Sequence, residues 1–145
     1  MKRTLIIGLA LFVAAAVTGT AAAVAGQDAL GAADGSIQPV SWSGWLAAKV
    51  KAEECDAAGN LVAALQYYLE YTRQAQELNS PARVAWGKNN AAYMIIKMHR
   101  QDPTVDLTPA GRLLEEGLAV VGVTDDCRKV LEMNLLHVKS CLGRT

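Results

Sequence analysis

The 145-residue chain lacks the residue patterns around which most catalytic and metal sites are built. It has two histidines and no CxxC, CxxCH, HExxH, GxSxG or phosphate-loop motif, which argues against zinc-ribbon, c-type haem, metalloprotease, hydrolase and nucleotide-binding roles. Its paired carboxylates, such as those at 53–54 and 115–116, diverge by about 100° around a helix because they are adjacent. No base, nucleophile and oxyanion-binding group can be assembled, so we expect no enzymatic activity and no cofactor.

An excess of charge of either sign is also missing. The chain has 14 basic and 14 acidic residues, well mixed along its length. Nucleic-acid binding needs a basic face or stripe, and attraction to anionic lipid needs a basic cluster. The sequence therefore predicts neither a nucleic-acid partner nor strong binding to an anionic membrane.

Cysteine is scarce, and its count of three is odd. Cys127 and Cys141 lie 14 residues apart in one predicted helix (141 minus 127), which is roughly 21 Å and too far for a disulfide. An internal disulfide would therefore join Cys55 to Cys127 or Cys55 to Cys141. The alternative is that the thiols are free and pack as small apolar side chains. In either case at least one thiol stays free or pairs between chains.

The chain has a single long apolar run, which lies near the N-terminus. Two basic residues precede the apolar segment 5–17, and residues 23–25 (Ala-Val-Ala) form a small-x-small cleavage site. This arrangement is typical of an export signal, so we predict a signal peptide over residues 1–25 and a periplasmic or secreted protein. If the segment is not cleaved, the run to residue 25 is long enough to remain as a membrane anchor.

The rest of the chain predicts one helical domain and no strands. Residues 26–42 are rich in Gly, Ala, Asp and Ser and are interpreted as a flexible spacer before a domain at 43–145. Apolar residues then recur at spacings of three and four, and breaks at Gly, Asn and Pro divide them into five helices. The predicted helices cover about 43–57, 60–78, 81–100, 108–121 and 125–142.

Several side chains are expected to mark the ends of these helices. Ser41 or Ser43, Ser80 and Thr108 are predicted N-caps, because their hydroxyls can accept bonds from free amides of the first turn. The fourth helix is expected to carry an apolar stripe that ends at Val121.

Two short patterns recur in the helical part at a nearly constant distance. The first is repeated after 46 residues (Ala64 to Ala110, for instance), and the second, around an asparagine, after 45 (89 to 134). The first pattern and its repeat comprise Leu61, Ala64, Tyr68 and Tyr71, then Leu107, Ala110, Leu114 and Gly117. They resemble the second helix of a tetratricopeptide repeat, and residues 86–93 resemble its first helix. The period exceeds the usual one of about 34 residues. The usual alanine is replaced by Tyr71, which predicts looser or rotated packing there.

The resemblance implies an all-α fold of antiparallel helix hairpins, about two pairs plus a C-terminal capping helix. It also implies a non-catalytic scaffold or adaptor that binds a protein or peptide, with self-association as a further expectation. In such stacks the first helix of each pair lines the binding surface. The candidate partner-binding residues are therefore Asn89, Asn90, Tyr93 and Lys97, and Tyr67 is added because it is expected to face outward.

A different hypothesis is a small helical bundle that binds a metal or an apolar ligand. Met133, His137 and Cys141 follow one another at intervals of four and so share one helix face. Their thioether, imidazole and thiolate groups are ligands that copper accepts. In the competing interpretation Met133 and Cys141 belong to the core and His137 lies at its edge.

Overall fold

The computed structural model describes residues 39–143, and these residues form five α-helices and no strand. The helices are α1 (Trp42–Ala57), α2 (Leu61–Glu77), α3 (Pro81–Gln101), α4 (Thr108–Leu118) and α5 (Asp125–Cys141). The all-α prediction is therefore confirmed. None of these helices is long and apolar enough to cross a bilayer. The predicted signal peptide, residues 1–25, and most of the predicted spacer lie outside the described residues.

Local side chains explain where three of the helices begin. Ser41 Oγ and Asn60 Oδ1 each accept a hydrogen bond from the amide three residues on, at 2.9 and 3.2 Å, and so cap α1 and α2. Thr124 Oγ1 caps α5 in the same way at 3.4 Å. Between α2 and α3, Asn79 adopts a φ of 50°, a left-handed conformation that asparagine tolerates better than most residues.

Ser80 lies at the predicted N-cap position of α3 without the expected side-chain bond, and the cap predicted at Thr108 is wrong. Ser80 makes no bond to the α3 amides, and its Oγ instead accepts from Arg83 Nη1 at 3.1 Å. Pro81, in the first turn of α3, has no N–H and so leaves one amide fewer to be satisfied at that end of the helix. Thr108 lies inside α4, and its own amide donates to Asp106 Oδ1 at 2.8 Å.

Helix α4 ends three residues earlier than the apolar pattern predicts. The amide of Val120 bonds the carbonyl of Gly117 at 3.3 Å, which tightens the last turn, and Gly122 then adopts a φ of 90°. Val121 therefore lies outside the helix and is 91% exposed. Its expected place in the buried stripe is wrong.

Neighbouring helices run antiparallel, and α1 and α3 run parallel. Near the end of α2, Gln74 Oε1 accepts from the amide of Ser41, before the start of α1, at 2.9 Å. Between alternate helices, Lys97 Nζ pairs with Asp56 Oδ1 at 2.6 Å, joining the ends of α3 and α1. Helix α3 also packs against α5, which makes it the central helix.

The core consists of two apolar clusters that meet at α3. One lies among α1, α2 and α3, and the other among α3, α4 and α5. Leu65, Tyr93, Met98 and Leu113 pack against both clusters and make them continuous. Many of the buried positions are alanines with no exposed surface, which lets the helices approach closely: Ala52, Ala64, Ala75, Ala85, Ala91, Ala92 and Ala110.

Helices α2 and α3 approach so closely at Gly87 that a side chain has no room there. A Cβ added to Gly87 would overlap Thr72 Oγ1 and lie 2.6 Å from Tyr71 Cδ1. Tyr71 is itself buried, so the looser packing predicted at Tyr71 is not found, because the glycine on the facing helix accommodates its ring. Helices α4 and α5 approach in a similar way, but here the glycine lies on the earlier helix of the pair. Gly117 of α4 faces Leu131 of α5, whose Cδ2 would lie 2.8 Å from an added Cβ.

We expect Gly87→Ala to destabilise the protein by about 1–3 kcal/mol, the usual range for overpacking, even though alanine favours a helix over glycine. The matched control is Gly111→Ala in α4, where the new Cβ would meet Val138 at an ordinary 3.5 Å. That variant should be neutral or more stable by up to about 1 kcal/mol. Urea unfolding followed by circular dichroism measures both, and equal stability of the two variants would contradict this account.

Candidate functional site

Helix α3 presents one row of partly exposed side chains between its contacts with the neighbouring helices. The row, called here the α3 face, consists of Trp86, Asn90, Tyr93 and Lys97. Spacings of four, three and four residues place them within about 60° of each other around the helix. The positions of α3 that point at α2 and α4 are buried by comparison, whereas these four side chains are partly exposed.

The C-terminal end of the α3 face is fixed by an ion pair with α1. Lys97 Nζ lies 2.6 Å from Asp56 Oδ1, and both side chains are partly buried. The same ammonium group lies 5.4 Å from the centre of the Tyr93 ring, within the range of a cation–π contact. Tyr93 and Lys97 are therefore held in a defined position.

The other end of the α3 face adjoins a group of aromatic rings stacked on a guanidinium. Arg83 Cζ lies 4.9 Å from the ring centre of Trp42 and 4.7 Å from that of Trp45. The two indoles meet edge to face with centroids 6.3 Å apart. We call Trp42, Trp45 and Arg83 the tryptophan–arginine cluster. Because Arg83 precedes Trp86 by three residues, the cluster continues the α3 face by one helical turn.

Beneath this cluster, Trp45 packs on Tyr71 with ring centroids 5.1 Å apart. The indole N–H of Trp45 is buried and has no hydrogen-bond partner among the described residues. Burial is the main influence on the Tyr71 hydroxyl and raises its pKa. The neighbouring Trp45 lowers this pKa to a smaller degree, as a weak hydrogen-bond donor to the hydroxyl would. The contact is therefore weaker than a full hydrogen bond, and the rings are held mainly by packing.

A buried glutamine fixes the start of α1 and with it the two tryptophans. Gln74 has no exposed surface. Its Oε1 accepts from the amide of Ser41 at 2.9 Å, and its Nε2 donates to the Pro39 carbonyl at 3.1 Å and to Glu70 Oε1 at 2.9 Å. The hydrogen bond from Arg73 is the main cause that lowers the pKa of Glu70, so this carboxylate is a charged acceptor for Gln74.

Asn89, predicted on the binding surface, is buried instead with 5% of its surface exposed. Its Oδ1 accepts from Asn134 Nδ2 of α5 at 2.9 Å, and its own Nδ2 donates to Asn90 Oδ1 at 3.3 Å. A buried amide must have partners, and Asn89 finds them within the protein. Its role in this conformation is to join α3 to α5 and to orient Asn90, and the prediction of an exposed Asn89 is wrong.

Tyr67 lies away from the α3 face. It packs with Cys55 against the cluster among α1, α2 and α3, and its hydroxyl interacts with Cys55 and Lys51. Cys55 and Asp56 point about 100° apart around α1, so Tyr67 and Lys97 meet different flanks of that helix. The structure thus brings Asn90, Tyr93 and Lys97 together on one side of α3, whereas Tyr67 lies on α2.

The candidate copper ligands lie on the outside of α5. Met133 is 64% exposed, and Cys141 is also exposed, so the interpretation that these two belong to the core is wrong. Cys141 Sγ lies 3.8 Å from His137 Nε2. Within residues 39–143 no group of three or more His, Cys, Asp and Glu side chains could hold a metal ion. Copper binding through Met133 stays a prediction.

All three cysteines are free, so neither of the two internal disulfides considered is formed. Cys127 has no exposed surface, and burial raises its pKa. It therefore packs as a small apolar side chain, which is the alternative to a disulfide that the sequence left open.

Sequence reasoning missed two residues that shape the site. Arg83 lies three positions before Trp86, and that spacing was the signal that placed it on the same side of α3. Gln74 gave no signal, because two of its three partners, the Ser41 amide and the Pro39 carbonyl, come from a distant part of the chain.

The chain has to be interpreted from its own chemistry. Comparison with protein-family models, with curated proteins and with solved structures finds no match. Chemically, the α3 face and the tryptophan–arginine cluster offer aromatic surface, amide groups and one stacked guanidinium. These groups suit apolar, hydrogen-bond and cation–π contacts with another molecule.

The Asn89–Asn134 bond yields a stability prediction. Asn134→Ala leaves the buried Asn89 oxygen without its donor, and we expect the free energy of unfolding to fall by about 1–3 kcal/mol. Chemical denaturation of Asn89→Ala, Asn134→Ala and the double variant measures the coupling, which should be at least about 0.5 kcal/mol. Gln66→Ala, at an exposed position of α2, is the control and should change stability little. Additive effects of the two asparagine substitutions would show that the bond is not formed.

Proposed function

We propose that this protein is an exported, non-catalytic scaffold or adaptor that binds a segment of another protein on the α3 face. The observation that carries the proposal is the row of Trp86, Asn90, Tyr93 and Lys97, partly exposed on the central helix. Tryptophan and tyrosine dominate the energy of protein interfaces because each offers a large, rigid contact area. Lys97 is held by its ion pair, and Asn90 is held by the hydrogen bond that it accepts from Asn89. The row is therefore ordered before a partner arrives, which reduces the entropy lost on binding.

We infer that the helices form tetratricopeptide-like hairpins, α1 with α2 and α3 with α4, followed by α5 as a capping helix. Two observations support this. All eight positions of the recurring pattern are buried: Leu61, Ala64, Tyr68, Tyr71, Leu107, Ala110, Leu114 and Gly117. The two recurring asparagines, Asn89 and Asn134, bond to each other across α3 and α5. A stack of this kind places α1, α3 and α5 on one side, which is the side of the α3 face.

The proposed location follows from the N-terminal pattern of two basic residues, an apolar segment and the small residues at 23–25. A protein or peptide outside the cytoplasm is then the partner, and a second copy of the chain is one such partner. Attachment to a membrane applies only if the N-terminal segment is retained.

The test is affinity capture from an envelope extract with the protein expressed from its full-length sequence, followed by mass spectrometry. We expect a stoichiometric protein partner that is lost with the double substitution Tyr93→Ala, Lys97→Ala, because the α3 face loses its ring and its ammonium group. Titration of the purified partner should show binding weakened by about tenfold or more.

The matched control is the double substitution Val62→Ala, Gln66→Ala on the exposed side of α2. It should retain the partner, and thermal unfolding must show that both variants are folded. A partner that both variants bind equally would place the binding surface elsewhere. Protein that emerges alone, as a monomer, would contradict the scaffold function.

A further inference from the structure

Arg83 carries a charge that no carboxylate neutralises among the described residues. Its contacts are the Trp42 and Trp45 rings and the hydroxyl of Ser80. The two lysines on the same helix differ, because Lys88 pairs with Glu116 at 2.5 Å and Lys97 pairs with Asp56 at 2.6 Å. The guanidinium thus remains available to an acidic group from outside the domain.

Stacking prepares this guanidinium for such a group. Cζ of Arg83 lies over the faces of both indole rings, and its N–H donors lie at the edge of the planar guanidinium. One of them, on Nη1, donates to Ser80 Oγ at 3.1 Å, which limits rotation. A planar group held in this way matches the two oxygens of a carboxylate, with which arginine makes paired, charge-assisted hydrogen bonds.

The surface beside Arg83 carries large apolar side chains next to the Lys49–Glu53 ion pair, and it is longer than a small anion. Trp42, Leu46 and Val50 follow one another at intervals of four residues on the outer side of α1, and they are 51%, 51% and 42% exposed. We call these three the α1 stripe. Eight residues of helix span about 12 Å, which is the length of several residues of a partner chain. A small carboxylate would contact Arg83 alone and leave the stripe uncovered.

We propose that Arg83, stacked on Trp42 and Trp45, binds a carboxylate of an acidic protein segment whose neighbouring large apolar side chains cover the α1 stripe. This inference rests on the proposed function and names the chemistry of the partner. Charge complementarity decides the occupant, because the guanidinium of Arg83 lies on two aromatic rings and has no carboxylate partner among the described residues. The partner segment thus has an Asp or Glu next to Leu, Phe, Trp or a similar residue.

A displayed library of random 12-residue peptides, selected on the protein expressed from its full-length sequence, tests this. We expect selected peptides to be enriched in Asp or Glu beside large apolar residues. A synthetic selected peptide is then compared with a twin in which Asn or Gln replaces each acid. On the unaltered protein the twin should bind about tenfold or more weakly, since charge-assisted hydrogen bonds are strong. This comparison needs no variant that could fail to fold.

The site of the contact is tested by Arg83→Gln, with Arg100→Gln as matched control. Arg100 is exposed on the same helix and makes no ion pair among the described residues. Arg83→Gln should weaken the acidic peptide about tenfold or more and leave the twin unchanged, and Arg83→Lys should restore only part of the loss. Arg100→Gln should change binding less than twofold. Tryptophan fluorescence and thermal unfolding confirm that each variant is folded.

The outcomes separate this inference from the proposed function. Peptides that bind without acidic enrichment, are insensitive to Arg83→Gln and are lost with Tyr93→Ala, Lys97→Ala would overturn the carboxylate contact and leave the scaffold function standing. Acidic peptides that depend on Arg100 rather than Arg83 would overturn the site. A library that yields no binding above background would count against both.

Discussion

The rest of this structure depends on how closely its helices approach one another. Gly87 has Thr72 and Tyr71 of the facing helix where its side chain would be, and Gly117 has Leu131 in the same position one hairpin later. Alanines without exposed surface occupy most other contacts of this kind. Alanine and glycine lose no side-chain rotamers on burial, so close backbone approach is obtained with little loss of side-chain entropy. The large side chains can then be concentrated at a few places.

This packing determines what α3 can offer to a partner. Apolar clusters on two sides bury most of the helix. On its remaining side, Lys97 pairs with Asp56 of α1, and Asn89 accepts a hydrogen bond from Asn134 of α5. Between these contacts lies the α3 face, in which Asn90 and Lys97 each have one partner within the protein. The buried Gln74 fixes the start of α1 in the same way, and so places two tryptophans at the end of that row. The polar groups that position the surface are thus mostly buried, and the aromatic groups are partly exposed.

The sequence predicted the helices well and their mutual contacts less well, for physical reasons. The resemblance to a tetratricopeptide repeat named Asn90, Tyr93 and Lys97, and all three lie partly exposed on α3. A period of three to four residues shows which side of a helix is buried. It does not show which neighbour covers that side, so Asn89 was expected at the surface although Asn134 satisfies it in the interior. Similarly, Tyr71 could be interpreted only once its ring was seen against Gly87.

The sequence also predicted poorly how the helices are capped and what role Arg83 has. Whether Ser80 caps a helix depends on backbone angles that its identity does not determine, and a neighbouring arginine occupied its hydroxyl instead. The significance of Arg83 depends on two tryptophans about 40 residues earlier, a contact between helices that no local pattern contains.

The two ends of the helix stack differ in a way that bears on how a partner approaches. In the repeat arrangement proposed above, the terminal helices require a polar outer side for solubility. The outer side of α5 meets this need in large part, because Lys129 and Glu132 accompany its exposed Met133 and Leu136. The outer side of α1 also carries charge, because Lys49 pairs with Glu53 beside its three large apolar residues. It differs from α5 in that this surface leads directly to the guanidinium of Arg83, which no carboxylate pairs among the described residues. Exposed apolar surface next to a prepared cation is costly to keep unless something covers it. The asymmetry therefore favours a partner that reaches the α3 face from the side of α1.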